Sequence, residues 1–145
     1  MKKIVLVALL LSAFTAGVFA RGKKPVSFEK VPAAVQEVVQ QNFTPLEIQL
    51  ITAKKIASRK YVYAFSMDEG TQLKYTNKAV LLEVKNEKGI RTSFVPEKIL
   101  TYVQETFPNA TITRYEAATG KKVVELNDEM ELVFTKKGKF LRIED

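Results

Sequence analysis

Two adjacent carboxylate pairs, Asp68-Glu69 and Asp128-Glu129, are the residues of this 145-residue chain whose types and spacing come nearest to chemistry. Acid–base hydrolysis would need two carboxyls facing each other, one of them raised in pKa by an apolar wall. Each pair lies instead inside a turn signal, Asp68-Glu69-Gly70 and Asn127-Asp128-Glu129, where acidic residues favour local hydrogen bonds and solvent. Turns, not catalysis, are their expected role. With no His and no Cys, imidazole- and thiolate-based catalysis, zinc fingers and disulfides are excluded. No twelve-residue window offers the alternating oxygen donors of a calcium loop. The six glycines stand singly, so there is no phosphate-cradling loop. No catalytic, cofactor-binding or metal-binding residue is assigned, no cofactor is expected, and the chain reads as a non-enzyme.

Lys+Arg number 23 against Asp+Glu 16, a formal charge of +7. The lysines are spread over turns and strands rather than clustered, so the excess serves solubility and weak steering, and nucleic acid is not an expected partner. The fourteen Phe and Tyr residues are more informative. What they do depends on the elements that carry them.

Residues 1–20 read as a signal peptide. Lys2 and Lys3 precede an apolar run beginning at Ile4, and Val18-Phe19-Ala20 gives a small-residue cleavage site. The run from Ile4 to Ala20 contains Ser12, Thr15 and Gly17 and is at the short limit for a membrane span. Cleavage leaves residues 21–145 and, with Lys2 and Lys3 gone, a charge of +5. The expected location is periplasmic or secreted from a bacterium, with no integral span left, because a small exported domain without disulfides must hold itself together by packing. Residues 21–30, opening Arg21-Gly22-Lys23-Lys24-Pro25, read as a flexible basic lead-in.

The remainder repeats itself. At an offset of 64, the windows 31–48 and 95–112 share six identities, Val31, Pro32, Val39, Gln40, Phe43 and Ile48 against Val95, Pro96, Val103, Gln104, Phe107 and Ile112, where about one is expected by chance. At an offset of 59, Leu73, Tyr75 and Thr76 fall opposite Leu132, Phe134 and Thr135, and Leu82 and Val84 opposite Leu141 and Ile143. Two copies follow, 31–90 and 91–145. Each opens with a helix: Pro32 and Pro96 suit the first helical position, and Val35, Val38, Val39 and Phe43, like Ile99, Tyr102, Val103 and Phe107, keep helical spacing. Alternating strands come next, around 61–67, 72–76 and 80–84 in one copy and 122–126, 131–134 and 140–143 in the other, with short leading strands near 47–52 and 111–115. The class is α+β.

A Val-Pro helix start, a Phe-(Thr)-Pro helix end, a Tyr-x-Val/Phe strand and a closing Leu-x-Phe/Tyr strand before a Lys-Gly turn together resemble the PepSY-like family of small exported bacterial proteins. The resemblance spans about residues 28–145. It implies the fold of the β-lactamase inhibitor protein, with two tandem copies of a helix followed by an antiparallel meander, their sheets joined into one curved sheet with helices on one face. It also implies a binding or inhibitory role outside the cytoplasm. No functional residue carries over, because the shared positions are structural. Ala79 stands where a turn glycine is expected, which leaves the last hairpin of the first copy open.

On that fold, Tyr63, Phe65, Leu73 and Tyr75, with Val124, Leu126, Leu132 and Phe134, should face the helices as core. The opposite face then carries Lys74, Leu81, Val133, Phe140 and Arg142, more apolar than a solvated sheet face requires and edged by charge. These five residues form the expected binding face for an unidentified protein partner. The expected function is non-catalytic capture of that partner, with inhibition of an enzyme as one outcome. The alternative is a structural or envelope-associated protein held by its basic N-terminal segment and by self-association. Oligomeric state is not fixed by these features.

Overall fold

A computed structural model of the chain describes residues 22–118 and 120–144. The expected signal peptide, and Arg21 beside it, lie outside the described residues. The elements are β1 (Lys23–Pro25), α1 (Ala33–Gln40), β2 (Ile48–Ala57), β3 (Lys60–Met67), β4 (Gln72–Thr76), β5 (Leu81–Lys85), α2 (Glu97–Thr106), β6 (Ile112–Ala118), β7 (Lys121–Leu126), β8 (Glu131–Thr135) and β9 (Phe140–Glu144). Strand order is chain order, β1 to β9, as short connections favour. The fold is α+β, with helix and antiparallel meander twice in tandem. Two compact units divide between Leu81 and Leu82.

In the first unit, β2, β3 and β4 alternate as the sequence predicts. Ile51, Phe65 and Leu73 are paired across three strands and buried, and Ala53, Tyr63 and Tyr75 form the next row on the same side. Val35 and Val39 of α1 are buried with them. Pro32 caps α1 rather than entering it, with ψ near 141° and its carbonyl accepting from the Val35 and Gln36 amides at 2.9 and 3.0 Å; Pro96 caps α2 alike. The fixed proline φ leaves ψ free to be extended, which is cap geometry.

The lead-in expected at 21–30 is corrected from Lys23 onward. Lys23, Lys24 and Pro25 pair with Lys54, Ala53 and Thr52, the Val26 amide donates to the Ile51 carbonyl at 3.0 Å, and Phe28–Lys30 form a 3-10 turn. Composition misleads here because main-chain groups make the ladder, and the edge of β2 accepts any backbone that offers them. This strand also resets the repeat. β1, the turn 28–30 and α1 are matched by β5, a 3-10 turn at Thr92–Phe94 and α2. Each unit therefore opens on a strand, and the division falls at 81/82 where helix-first arithmetic placed it at 90/91.

The turn left open by Ala79 does close. Ala79 takes φ +67°, its amide donates to the Thr76 carbonyl at 2.9 Å, and the Thr76 amide donates to the Val80 carbonyl at 2.9 Å. Gly138 occupies the matching place in the second unit, with φ +92° and bonds from Gly138 to Thr135 and from Thr135 to Lys139. The Thr76 and Thr135 hydroxyls each accept the amide that follows the turn, Val80 at 3.1 Å and Lys139 at 3.0 Å.

In the second unit, Tyr115, Val124 and Leu132 form one buried row across β6, β7 and β8. Ile99 and Val103 of α2 are buried as well. Tyr102 of the same helix meets Phe134 edge-on at 5.6 Å between ring centroids, which places α2 on the side of that row. Among the described residues no helix is long and apolar enough to cross a membrane.

Candidate interaction face of the second unit

Strand alternation would put Arg114 on the same side as buried Ile112, two residues before it. A register shift between these two residues breaks the parity. The Thr113 hydroxyl bonds the Glu125 carbonyl at 3.2 Å, and Arg114 turns away from the helix while Tyr115 keeps the core row. One inserted residue is what moves a side chain across a sheet.

On that outer side, register gathers four glutamates around one guanidinium. Arg114 pairs with Glu125, which pairs in turn with Glu131, and Glu83 pairs with Glu116 in the adjacent row. The guanidinium lies 2.7 Å from Glu116, 3.1 Å from Glu131, 3.4 Å from Glu125 and 3.7 Å from Glu83. Its side chain is only 17% exposed. Burial alone would ease its proton off, but the bonds and charge of Glu116, with Glu125 and Glu131, outweigh this and raise its pKa. Four carboxylates against Arg114 and Lys85, its register partner on β5, leave this part of the face net negative on a chain of net positive charge. Their oxygens converge on an arginine, and among the described residues no acidic group is arranged to hold a metal ion. No carboxyl pair here straddles an apolar wall as proton transfer would require.

Of the five residues expected to form a binding face, Lys74 and Leu81 belong to the first unit and Val133, Phe140 and Arg142 to the second. Lys74, in the first unit, is exposed on β4 opposite Ala64, away from buried Leu73 and Tyr75. Leu81 is half-buried at the start of β5. Val133 and Arg142 are brought together as direct cross-strand partners. Arg142 is exposed and its Nε donates to Glu144 at 2.6 Å. Val133, by contrast, is 2% exposed: flanked by Val123 on one side and Arg142 on the other, a short side chain in mid-sheet is covered by its neighbours, and it offers a partner little.

Phe140 is on the other face. It pairs with Phe134, and the register then shifts before Val133 meets Arg142. The ring stacks on Tyr102 of α2 at 4.7 Å and 14° and meets Phe134 edge-on at 5.8 Å. Simple alternation put Phe140 and Arg142 on one side. The bulge puts them on opposite sides, and Phe140 belongs to the aromatic cluster under the helix.

Strand alternation alone does not single out Arg114. A signal for it existed, since Ile112 and Tyr115 are apolar residues three apart in a strand, an odd spacing that period two cannot bury without an inserted residue. The acidic pairs do occupy turns. The Asp128 carboxylate accepts the Met130 amide at 3.1 Å, Glu129 has φ +70°, and Glu69 accepts the Thr71 hydroxyl at 2.7 Å.

Residues 19–83 and 81–142 each match the model of a family described as beta-lactamase-inhibitor-like, PepSY-like. Comparison with curated proteins finds no match. The fold is similar to a solved structure of a protein from Bacteroides vulgatus assigned to the periplasm and of unknown function, with TM-score 0.77, 21% identity, and 86% of this chain and 100% of that one covered. A second such protein from Bacteroides vulgatus gives TM-score 0.78 at 20% identity over 88% of this chain and 100% of that one. A Bacteroides thetaiotaomicron protein described as calcium-regulated and periplasmic gives 0.77 at 21% identity over 85% and 97%.

Proposed function

The chain belongs to the PepSY-like, beta-lactamase-inhibitor-like family, and from that premise we propose that it is an exported, non-catalytic periplasmic protein that binds another protein through the outer sheet face of its second unit. The observation that carries this reading is the Arg114 cluster. Solubilising charges stand singly on mobile stems, whereas Glu116, Glu125 and Glu131 are held on one guanidinium, each 30–40% exposed. Side chains already immobilised lose little entropy when a partner docks. A negative patch on a positive molecule also selects among partners by sign. The partner that suits it presents clustered Lys and Arg. Arg142, at the edge of the same face, is the member of the expected face that the second unit offers for contact. Inhibition of an enzyme would be one outcome of such binding, in keeping with the family's description.

The test is affinity capture from periplasm and culture fluid of the native organism, at about 0.1 and 0.5 M salt, because exposed ion pairs are screened across that range. One stoichiometric protein should be recovered at low salt and lost from a Glu116→Lys/Glu131→Lys variant that keeps its native circular dichroism. Capture unaffected by the double reversal would overturn the reading.

A further inference from the structure

Among the described residues β9 is the last strand in the sheet order, and one of its edges carries main-chain donors and acceptors with no described strand beyond. Exposed edges of this kind are commonly guarded by brevity, proline, lysine or bulges. β1, at the other end of the order, is three residues long and ends in Pro25. β9 has five residues, Phe140-Leu141-Arg142-Ile143-Glu144, with no proline, glycine or lysine. Its one irregularity lies toward the Phe140 end, and Arg142, Ile143 and Glu144 run in regular register against Val133, Leu132 and Glu131. Leu141 and Ile143 are 44% and 46% exposed.

We propose that this edge pairs antiparallel with β9 of a second copy of the chain, centred on Ile143. The charges of the strand select the occupant and the register. Antiparallel partners share a face, so centring on Ile143 sets Ile143 against its counterpart and Arg142 against Glu144 of the other copy, twice by symmetry. Centring on Arg142 would oppose two like charges and set Phe140 against Glu144. The segment is thus complementary to itself in one two-fold arrangement, the isologous contact that closes a dimer. Arg142 and Glu144 already bond within the strand and are both about half exposed, so a facing copy completes a four-charge ring without burying either. Arg142 and Glu144 share the outer face with the Arg114 cluster, Glu144 facing Glu131 across the ladder, but the pairing uses the main-chain edge of β9 and the inference does not rest on the binding reading above.

Sedimentation velocity of the purified protein over roughly 1–500 µM tests it, a range set by an interface at the small end of specific contacts. Reversible dimerisation is expected within that range. Arg142→Glu and Glu144→Arg should each weaken it at least tenfold. The double variant, and an equimolar mixture of the two single variants, should restore it to within about threefold, since opposite signs again face each other. Circular dichroism and thermal midpoints check that each variant is folded, which exposed sites permit. A wild-type monomer at all concentrations overturns the proposal. So do single variants that dimerise as wild type, or a double variant and mixture that fail to recover.

Discussion

Phe140 lies flat against Tyr102, 4.7 Å between ring centroids and 14° from parallel, while Arg142, two residues on, faces Val133 on the opposite side of the sheet. Two residues that alternation would place side by side have opposite jobs, one holding α2 to the sheet and one lying in solvent. Phe140→Ala should therefore destabilise the protein by about 2 kcal/mol, less than a fully buried phenylalanine because the ring is not completely covered. Arg142→Ala should stay within about 0.5 kcal/mol. Denaturant midpoints of the two variants measure this; equal effects would show that the bulge does not divide them.

Arg114 lies among four carboxylates, 2.7 to 3.7 Å from each, with Lys85 as its register partner on β5. Arg114→Met keeps much of the apolar stem and removes the charge, leaving Glu83, Glu116, Glu125 and Glu131 to repel one another. A loss of about 2 kcal/mol at pH 7 is expected, below the ~3–5 kcal/mol of a fully buried pair. High salt should return part of it by screening. Urea unfolding with and without about 0.5 M NaCl reads both effects.

Ala79 and Glu129 adopt the left-handed backbone with φ +67° and +70°, a region that costs a residue with a Cβ roughly 1–2 kcal/mol. Ala79→Gly and Glu129→Gly should each stabilise by about 0.5–1 kcal/mol, the gain being trimmed by the extra freedom of glycine in the unfolded chain. The converse, Gly138→Ala, should cost about 1 kcal/mol. Its added Cβ would also lie 3.4 Å from the Lys98 side chain and 3.6 Å from Ile99 Cγ1. Thermal midpoints rank the three.

The buried Tyr75 phenol has its pKa pushed up to about 12 by burial, and Tyr63 and Tyr115 move the same way, also through burial first. In the unfolded chain a tyrosine ionises near 10. Above pH 10 the unfolded state therefore sheds its proton before the folded state does. The Tyr75 contribution is constant below about pH 10, and it removes some 2–3 kcal/mol between pH 10 and 12. Tyr75→Phe should flatten that decline in part, measured as denaturant midpoints across the interval. An unchanged slope would place the loss elsewhere.

Much of this molecule is legible from its residues alone. Pro32 and Pro96 with their helically spaced apolar residues mark the helices. The offsets of 64 and 59 mark the duplication, and the alternation of Phe65, Leu73, Tyr75, Val124, Leu132 and Phe134 marks the core, because burial must follow the period of the element that carries it. Turn residues at Asp68-Glu69-Gly70 and Asn127-Asp128-Glu129 announce hairpins through backbone chemistry that is local. What tertiary structure alone decided is non-local or a matter of parity. β1 exists because the edge of β2 had main-chain bonds to give, which side-chain composition does not report. The sides taken by Arg114 and Phe140 were set by single-residue register shifts in β6 and between β8 and β9. With a side-chain period of two, one inserted residue exchanges the faces, so a strand can be placed correctly from sequence while half its side chains are assigned to the wrong side.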